Sequence, residues 1–402
     1  MLGLASLIPI GTGAQATSAA TPRFIQGHAV EGLAADVFDG IVYLSVKING
    51  EGPFTFVLDT GAGDMTAIDQ SVAESMGLRL TPVPAGGGAG EEIVQINRVD
   101  SIGVSIDALS FEVPAAFTIP LHRMDPHWGK RKDGLIGAEI LSTLVTRIDY
   151  EHERVDFHDA ASYQYSGAGE IVPVTVVGGA LFVEARVDLY DREEPIDAYF
   201  LVDTGVRLSI FNMPYSLQHS LAAQSPKTAA GVTGFGIGGV SRGVVGRVRA
   251  IRLGSFVFEA PVVNFSTDQA GALADSSFSG IFGADFLSRF HVVLDYSRSR
   301  MTLQKNRFFG KPFEFDMSGI RFVFEGDRFD VVKVFSVFEP SPAAEAGIQA
   351  GDEIAEIDGR KVGTFTRESL GAYLQRDGER VRLRIKQGGD EKDITIRLRR
   401  LV

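Results

Sequence analysis

The chain has 402 residues, so more than one domain is expected at roughly 100–200 residues each. Hydrophobic residues at 45% and charged residues at 22% give the balance of a globular protein and exclude a disordered, collagen-like or coiled-coil chain. A net charge of −12 disfavours nucleic acid or anionic lipid as a partner through the overall field, and the absence of cysteine excludes disulfides, thiolate metal sites and a thiol nucleophile. No apolar run approaches the roughly 18 residues of a membrane-spanning helix.

Residues 1–20 carry no charge. An apolar stretch, Leu2 to Ile10, runs into Ala14-Gln15-Ala16, a small-residue cleavage pattern. A signal or leader segment is expected here, although it lacks a basic start, which leaves open whether Met1 is the true start. Export without cysteine fits a bacterial envelope, periplasmic or secreted.

Next comes an internal repeat. Ile41 to Ile48 reads as a strand, Asn49-Gly50-Glu51-Gly52-Pro53 as a turn, and Phe54 to Leu58 as a second strand ending in Asp59-Thr60-Gly61. Leu181 to Leu189, a longer polar turn, and Tyr199 to Val202 repeat the plan and end in Asp203-Thr204-Gly205. Each copy then has a Gly-rich segment, Gly86 to Gly90 and Gly231 to Gly239. Each closes with a matched motif, Gly134-Leu135-Ile136-Gly137-Ala138-Glu139 and Gly280-Ile281-Phe282-Gly283-Ala284-Asp285. One Asp-Thr-Gly arises by chance in about a tenth of chains this long at average usage. Two at equivalent places in a repeat do not.

A duplicated unit packs about a pseudo-two-fold axis, and a residue near that axis meets its own copy. Here the residue is a carboxylate ending an apolar strand. Two carboxylates about 3 Å apart share one proton. The ionised one takes a proton from a water held between them, and the protonated one gives its proton to a carbonyl oxygen. Gly61 and Gly205 permit a tight turn behind each carboxylate. Thr60 and Thr204 can bond across the interface. The Gly-rich segments, with Gly87, Gly88, Phe235 and Gly236 at their centres, suit mobile hairpins over a substrate.

With these residues in view, the sequence resembles a retropepsin-like (pepsin-type) aspartic protease, two lobes fused in one chain. The resemblance rests on Phe56 to Ala62, on Leu201 to Gly205, and on the partner motifs Leu135-Ile136-Gly137 and Ile281-Phe282-Gly283, and it covers roughly residues 35–305. It implies peptide-bond hydrolysis by water with Asp59 and Asp203 as the dyad. It also implies that Ile136, Gly137, Phe282 and Gly283 pack under the catalytic loops. Ala62 and Val206 depart from the hydroxyl residue usual after the motif. Loss of that donor should raise the lower apparent pKa and place activity at mildly acidic to neutral pH. Arg207 also departs; turned inward, it favours a doubly ionised, inactive dyad. Neither Gly-rich segment has the usual flap Tyr, and Phe235 is the residue placed to substitute.

After Met301 to Gln304 the pattern changes. Ser341-Pro342-Ala343-Ala344, then Gly351-Asp352-Glu353-Ile354, then Ile357-Asp358-Gly359 resemble a bacterial-type PDZ domain over about 310–402. The resemblance implies a peptide added to a sheet edge, with its terminal carboxylate in a backbone nest. Ser318, Gly319, Ile320, Arg321 and Phe322 would form the nest loop. A helix from Thr366 to Arg376 would present Leu370, Tyr373 and Leu374. Two roles remain open for this module, tethering a substrate tail or packing and regulation.

Other signals are set aside. Gly234 to Gly239 fits a dinucleotide pattern without the strand and helix it needs. Gly239 to Gly243 fits a nucleophile elbow without its context. His122, His127, His152 and His158 have no metal-ligand spacing, and the loop Pro120 to Asp133 reads as a solvated loop, the alternative being one that shapes or blocks substrate entry.

The expected architecture is mainly β: a leader over 1–20, protease lobes over 21–160 and 161–305, and an α+β PDZ domain over 306–402. The expected function is an aspartic endopeptidase acting on polypeptide, needing no metal or organic cofactor, with a monomer sufficient because one chain supplies both Asp residues. The alternative is an idle or gated peptide-binding adaptor. A plainer alternative is a duplicated β-barrel whose Asp residues only cap turns.

Overall fold

The structure, a computed structural model, describes residues 20–402, so all but the last residue of the expected leader lies outside it. Strands Ile41–Ile48 and Glu51–Leu58 form an antiparallel hairpin closed by Asn49 and Gly50. Both turn residues take positive φ, 51° and 84°, which is what a tight Asn-Gly turn demands. The second copy, Ala180–Asp188 with Ile196–Val202, pairs the same way through a longer connection.

These hairpins lie in separate sheets, nine-stranded in the first lobe and ten-stranded in the second. In each, a short strand of the partner motif runs parallel to the strand that ends in Asp. Gly134–Ile136 lies beside Phe56 to Leu58, and Gly280–Phe282 beside Phe200 to Val202. All six residues of the two short strands are buried, which accounts for their Gly and apolar content. A third sheet of six strands joins the lobes, where Leu144–Asp149 pairs antiparallel with Phe290–Asp295. The sequence boundary between 160 and 161 is therefore no break in space. Ala29–Ala34 and Glu170–Pro173 are the two edges of this common sheet.

The C-terminal unit has its own six-stranded sheet and its own core, which includes Met317, Ile320, Phe324, Val334, Ile354, Leu370 and Leu383. Ile320–Glu325 is one edge strand and Asp390–Arg397 the other. The helix Pro342–Glu345 starts at Ser341, whose side chain accepts from Ala344 N, and Pro342 occupies a position where no N–H is missed. The helix Arg367–Tyr373 starts in a capping box made by Thr366 and Ser369. The architecture is thus mainly β, two lobes joined through a common sheet and followed by a smaller unit with its own sheet and core.

Candidate active site

Asp59 ends the strand Glu51–Leu58, and its N–H makes the last bond to the parallel partner, donating to Ile136 O at 3.0 Å. Asp203 does the same to Phe282 O at 3.0 Å. Beyond them each chain turns, and the turn is held by the carboxylate itself. Gly61 N donates to Asp59 Oδ1 at 2.9 Å, and Gly205 N to Asp203 Oδ1 at 2.8 Å.

The two turns are tied across the interface. Thr60 Oγ1 donates to Val202 O at 2.7 Å and accepts from Thr204 N at 3.1 Å. Thr204 Oγ1 donates to Leu58 O at 2.7 Å and accepts from Thr60 N at 3.1 Å. These four bonds are buried, so loss of one hydroxyl leaves a carbonyl and an N–H unpaired. Gly61 and Gly205 are needed for space. A Cβ on Gly61 would sit 2.2 Å from Asp203 Oδ2, and one on Gly205 would sit 2.5 Å from the Asp59 carboxyl carbon. Each glycine therefore admits the carboxylate of the other lobe.

Asp59 and Asp203 are both 0% exposed, and neither Oδ2 has a protein hydrogen-bond donor. An unpaired buried carboxylate oxygen is costly, and two facing each other are relieved by one proton held between them. Burial raises the Asp59 carboxyl well above the usual range, and the Asp203 charge raises it further against the Gly61 N–H. Burial likewise raises Asp203, opposed by the Gly205 N–H. Where a hydroxyl residue was missed at Ala62 and Val206, their backbone N–H groups favour the charged forms instead. Arg207 does not turn toward the dyad. Its Nε lies 3.3 Å from Asp39 Oδ2.

Gly137 and Gly283 pass directly beneath the segments that follow the two Asp-Thr-Gly turns. A Cβ there would lie 2.0 Å from Met65 O and 2.8 Å from Val206 O, respectively. Ala138 N then donates to Gly63 O and Ala284 N to Val206 O, which seats the short helices Ala138–Leu141 and Ala284–Leu287 under the turns.

The Gly-rich segments are hairpin tips. Strands Leu80–Gly86 and Val94–Ile106 carry Gly87 to Gly90; strands Ala229–Gly236 and Gly239–Arg247 carry Ile237 and Gly238. The tips meet: Gly238 N donates to Ala89 O at 2.9 Å and Glu92 N to Gly238 O at 2.8 Å. Gly88 O accepts from Ala272 N, and Gly236 lies against Ala89. Ala89 shares a buried cluster with Val206, and Ile237 shares one with Ala62 and Met65. Each tip thus belongs to the same apolar cluster as residues beside the Asp-Thr-Gly turn of the opposite lobe, and both Asp side chains are fully buried. Phe235 is drawn elsewhere, stacking on His127 with centroids 3.9 Å apart.

The residues expected to form a PDZ peptide site lie on the strand Ile320–Glu325 and its approach and on the helix Arg367–Tyr373 and its end, and several are engaged within the chain. The N–H groups of Ser318 and Gly319 both donate to Asp316 Oδ1, at 3.0 and 2.6 Å. The expected carboxylate nest is therefore filled by the chain's own Asp316, whose carboxyl burial pushes up to about 6. Ile320, Leu370 and Leu374 are buried in the PDZ core, with Phe322 and Tyr373 packed against it. Tyr373 also donates its hydroxyl to Asp358 Oδ2 at 2.7 Å. Arg321 Nη2 donates to Thr233 O of the second-lobe hairpin at 3.0 Å.

The loop Pro120 to Asp133 is not solvated as expected. Trp128 is 3% exposed and Lys132 is 0% exposed, the Lys132 ammonium lying 3.3 Å from Asp125 Oδ1 and 3.9 Å from the Trp128 ring centre. His122 is held in the protein as well, its ring nitrogens 3.2 Å from Asp69 and 3.3 Å from Asp133. His152 pairs with Asp149, and His158 stacks obliquely on Tyr163. Among the described residues no three His, Asp or Glu side chains gather in a metal-holding arrangement.

Residues 44–140 match the family model described as aspartyl protease, and residues 317–398 match that of the PDZ domain. The chain therefore carries an aspartyl protease-like domain and a PDZ domain. A 58-residue stretch is 47% identical to a Clostridium perfringens (strain 13 / Type A) protein bearing the name of a zinc metalloprotease; it covers 14% of this chain and only 17% of that protein's length. The crystal structure of an aspartic proteinase from Irpex lacteus aligns over 70% of this chain and 99% of its own, with 13% identity and a TM-score of 0.42.

Proposed function

We propose that the protein is an aspartic endopeptidase in which Asp59 and Asp203 act as one acid–base unit on a water molecule. The observation that carries this reading is the pair of inward Oδ2 atoms, both buried and both without a protein donor. With one proton between the two carboxyls, the ionised member accepts a proton from water while the other protonates the scissile carbonyl. The tetrahedral intermediate then collapses with proton return to the leaving amine. No covalent intermediate and no cofactor is required. An extended peptide would lie between the lobes beneath the flap tips, and one chain suffices because it supplies both carboxylates. Export to a bacterial envelope is part of the proposal, supported by the apolar, uncharged residues 1–20 and the cysteine-free composition.

The test is incubation of the full chain with a denatured protein between pH 4 and 7.5, beside Asp59→Asn and Asp203→Asn, with fragments identified by mass spectrometry. Fragments from the wild type alone are expected. Fragments persisting in either variant contradict the reading. The adaptor reading is favoured by one observation, the complete burial of the dyad beneath joined flaps.

A further inference from the structure

The seal over the dyad does not end at the flap tips. On its far side the second-lobe hairpin is bonded to the PDZ domain. Ala230 and Glu339 exchange both backbone bonds, Ala230 N to Glu339 O at 2.9 Å and Glu339 N to Ala230 O at 3.0 Å. Phe338 of the PDZ domain packs on Gly231, and Arg321 reaches Thr233 O. The same PDZ face also receives the first lobe. The short helix Asp125–Trp128 packs against the edge strand Ile320–Glu325. Gly129 wedges between Phe324 of that strand and Arg367 of the helix Arg367–Tyr373, a Cβ there lying 3.4 and 3.3 Å from them. Edge strand and facing helix are the two walls between which a PDZ domain takes an added peptide strand. In this chain the space holds residues of its own first lobe.

One ring and one carboxylate tie the three bodies together. The His127 ring stacks on Phe235 of the flap at 3.9 Å and meets Phe335 of the PDZ domain edge-on at 4.5 Å. Asp39 of the first lobe accepts from Arg367 Nε of the PDZ domain at 2.9 Å and lies 3.3 Å from Arg207 Nε of the second lobe. These side chains are largely shielded, Arg367 at 13% and Asp39 at 23% exposure, so the pairing is little weakened by solvent. Burial pushes the Asp39 carboxyl up, yet Arg207 and Arg367 together hold it below the usual range, as expected of a charged anchor.

We propose that the PDZ domain is an autoinhibitory latch: residues 125–129 occupy its peptide groove as an internal ligand while its Glu339 and Arg321 hold the second-lobe flap down over the dyad. Opening the cleft requires withdrawal of the flap, and the flap is released only as His127, Gly129 and Asp39 part from the PDZ face. An extended peptide adding to Ile320–Glu325 competes for the space filled by Asp125 to Gly129, so groove occupancy and flap closure exclude one another. The inhibitory part rests on the peptidase reading; the docking itself does not, and the test separates them.

The chain has no cysteine and a single tryptophan, Trp128, inside the latch segment. A hydrogen-bonded antiparallel pair places its Cα atoms about 5.5 Å apart, which suits a disulfide. The double variant Ala230→Cys/Glu339→Cys, both positions exposed, can thus be locked by oxidation and freed by reduction. Arg367→Ala and His127→Ala weaken the latch from its other side. Cleavage of a denatured protein and acrylamide quenching of Trp128 are read in each full-length form. The oxidised form is expected to cleave about tenfold more slowly than the same protein reduced, and Arg367→Ala about tenfold faster than wild type with Trp128 more readily quenched. Cleavage that is measurable and equal in the oxidised and reduced forms overturns the latch. So does unchanged Trp128 quenching in both weakening variants. Quenching that rises while no form cleaves leaves the latch standing and removes the peptidase reading instead.

Discussion

At the two Asp-Thr-Gly turns, Thr60 and Thr204 make the same two bonds at the same 2.7 and 3.1 Å, while at the Gly-rich hairpins the two copies part company. The first-lobe hairpin ends in Gly87 to Gly90 and finds its cross-cleft partners on the second lobe, at Gly238 and Ala272. The second-lobe hairpin does this too but is also bonded along its outer strand to the PDZ domain through Ala230. Residues on the pseudo-two-fold axis are constrained by their own copies, so a change in one turn is felt by both. Flap strands far from the axis answer to no copy, and there an added domain can take hold without disturbing the dyad.

The largest effect expected from breaking this symmetry is on catalysis. Asp59→Asn and Asp203→Asn each remove the shared acid–base unit and should lower the cleavage rate by about 10²–10⁴-fold, to similar extents, in a fixed-substrate assay. Next come the glycines. Gly205→Ala drives a methyl into the Asp59 carboxyl and Gly61→Ala into that of Asp203, so both should lose most activity and melt earlier in a thermal scan. Thr60→Val and Thr204→Val each strip a hydroxyl from two buried bonds. Each should cost about 1–3 kcal/mol in denaturant unfolding, and a marked difference between them would show that the turns are not equivalent.

A smaller contrast lies under the turns, where the repeat places Glu139 in one copy and Asp285 in the other. Burial pushes Glu139 up to about 7 and Asp285 up to about 6, the latter opposed by the Ser209 hydroxyl and N–H. A carboxyl raised in the fold binds its proton more tightly there than in the unfolded chain. Its contribution to stability is therefore present below its unfolded value of about 4 and is lost as pH rises through the folded value. Unfolding free energy should fall between about pH 4 and 7 on this account. Glu139→Gln should flatten the fall up to about pH 7, and Asp285→Asn only up to about pH 6, as read from urea titrations at stepped pH.

The two Asp-Thr-Gly turns and the parallel strands beside them were legible because each is written locally and written twice. A carboxylate after an apolar strand, a Thr and a Gly have few other joint uses, and the repeat aligns them. Asp316 carried a readable signal that went unused: an Asp two residues before Ser318 is set to cap its own turn, which fills the nest that a terminal carboxylate would need. The role of Asp39 was not legible. Asp39-Gly40 reads as an ordinary hairpin turn, and its partners Arg207 and Arg367 come from distant parts of the chain. The contacts of His127, Trp128 and Lys132 were not legible either. A loop of charged and aromatic residues looks solvated until a second domain covers it.

The central claim is that Asp59 and Asp203 work as one proton-sharing unit, and a double-mutant cycle on cleavage rate tests it most directly. Groups that act as a unit are non-additive: once one is gone, removing the other costs little more. Asp59→Asn/Asp203→Asn is therefore expected to be no slower than either single variant. If the single losses instead multiply in the double variant, the two carboxylates act independently and the shared dyad is wrong.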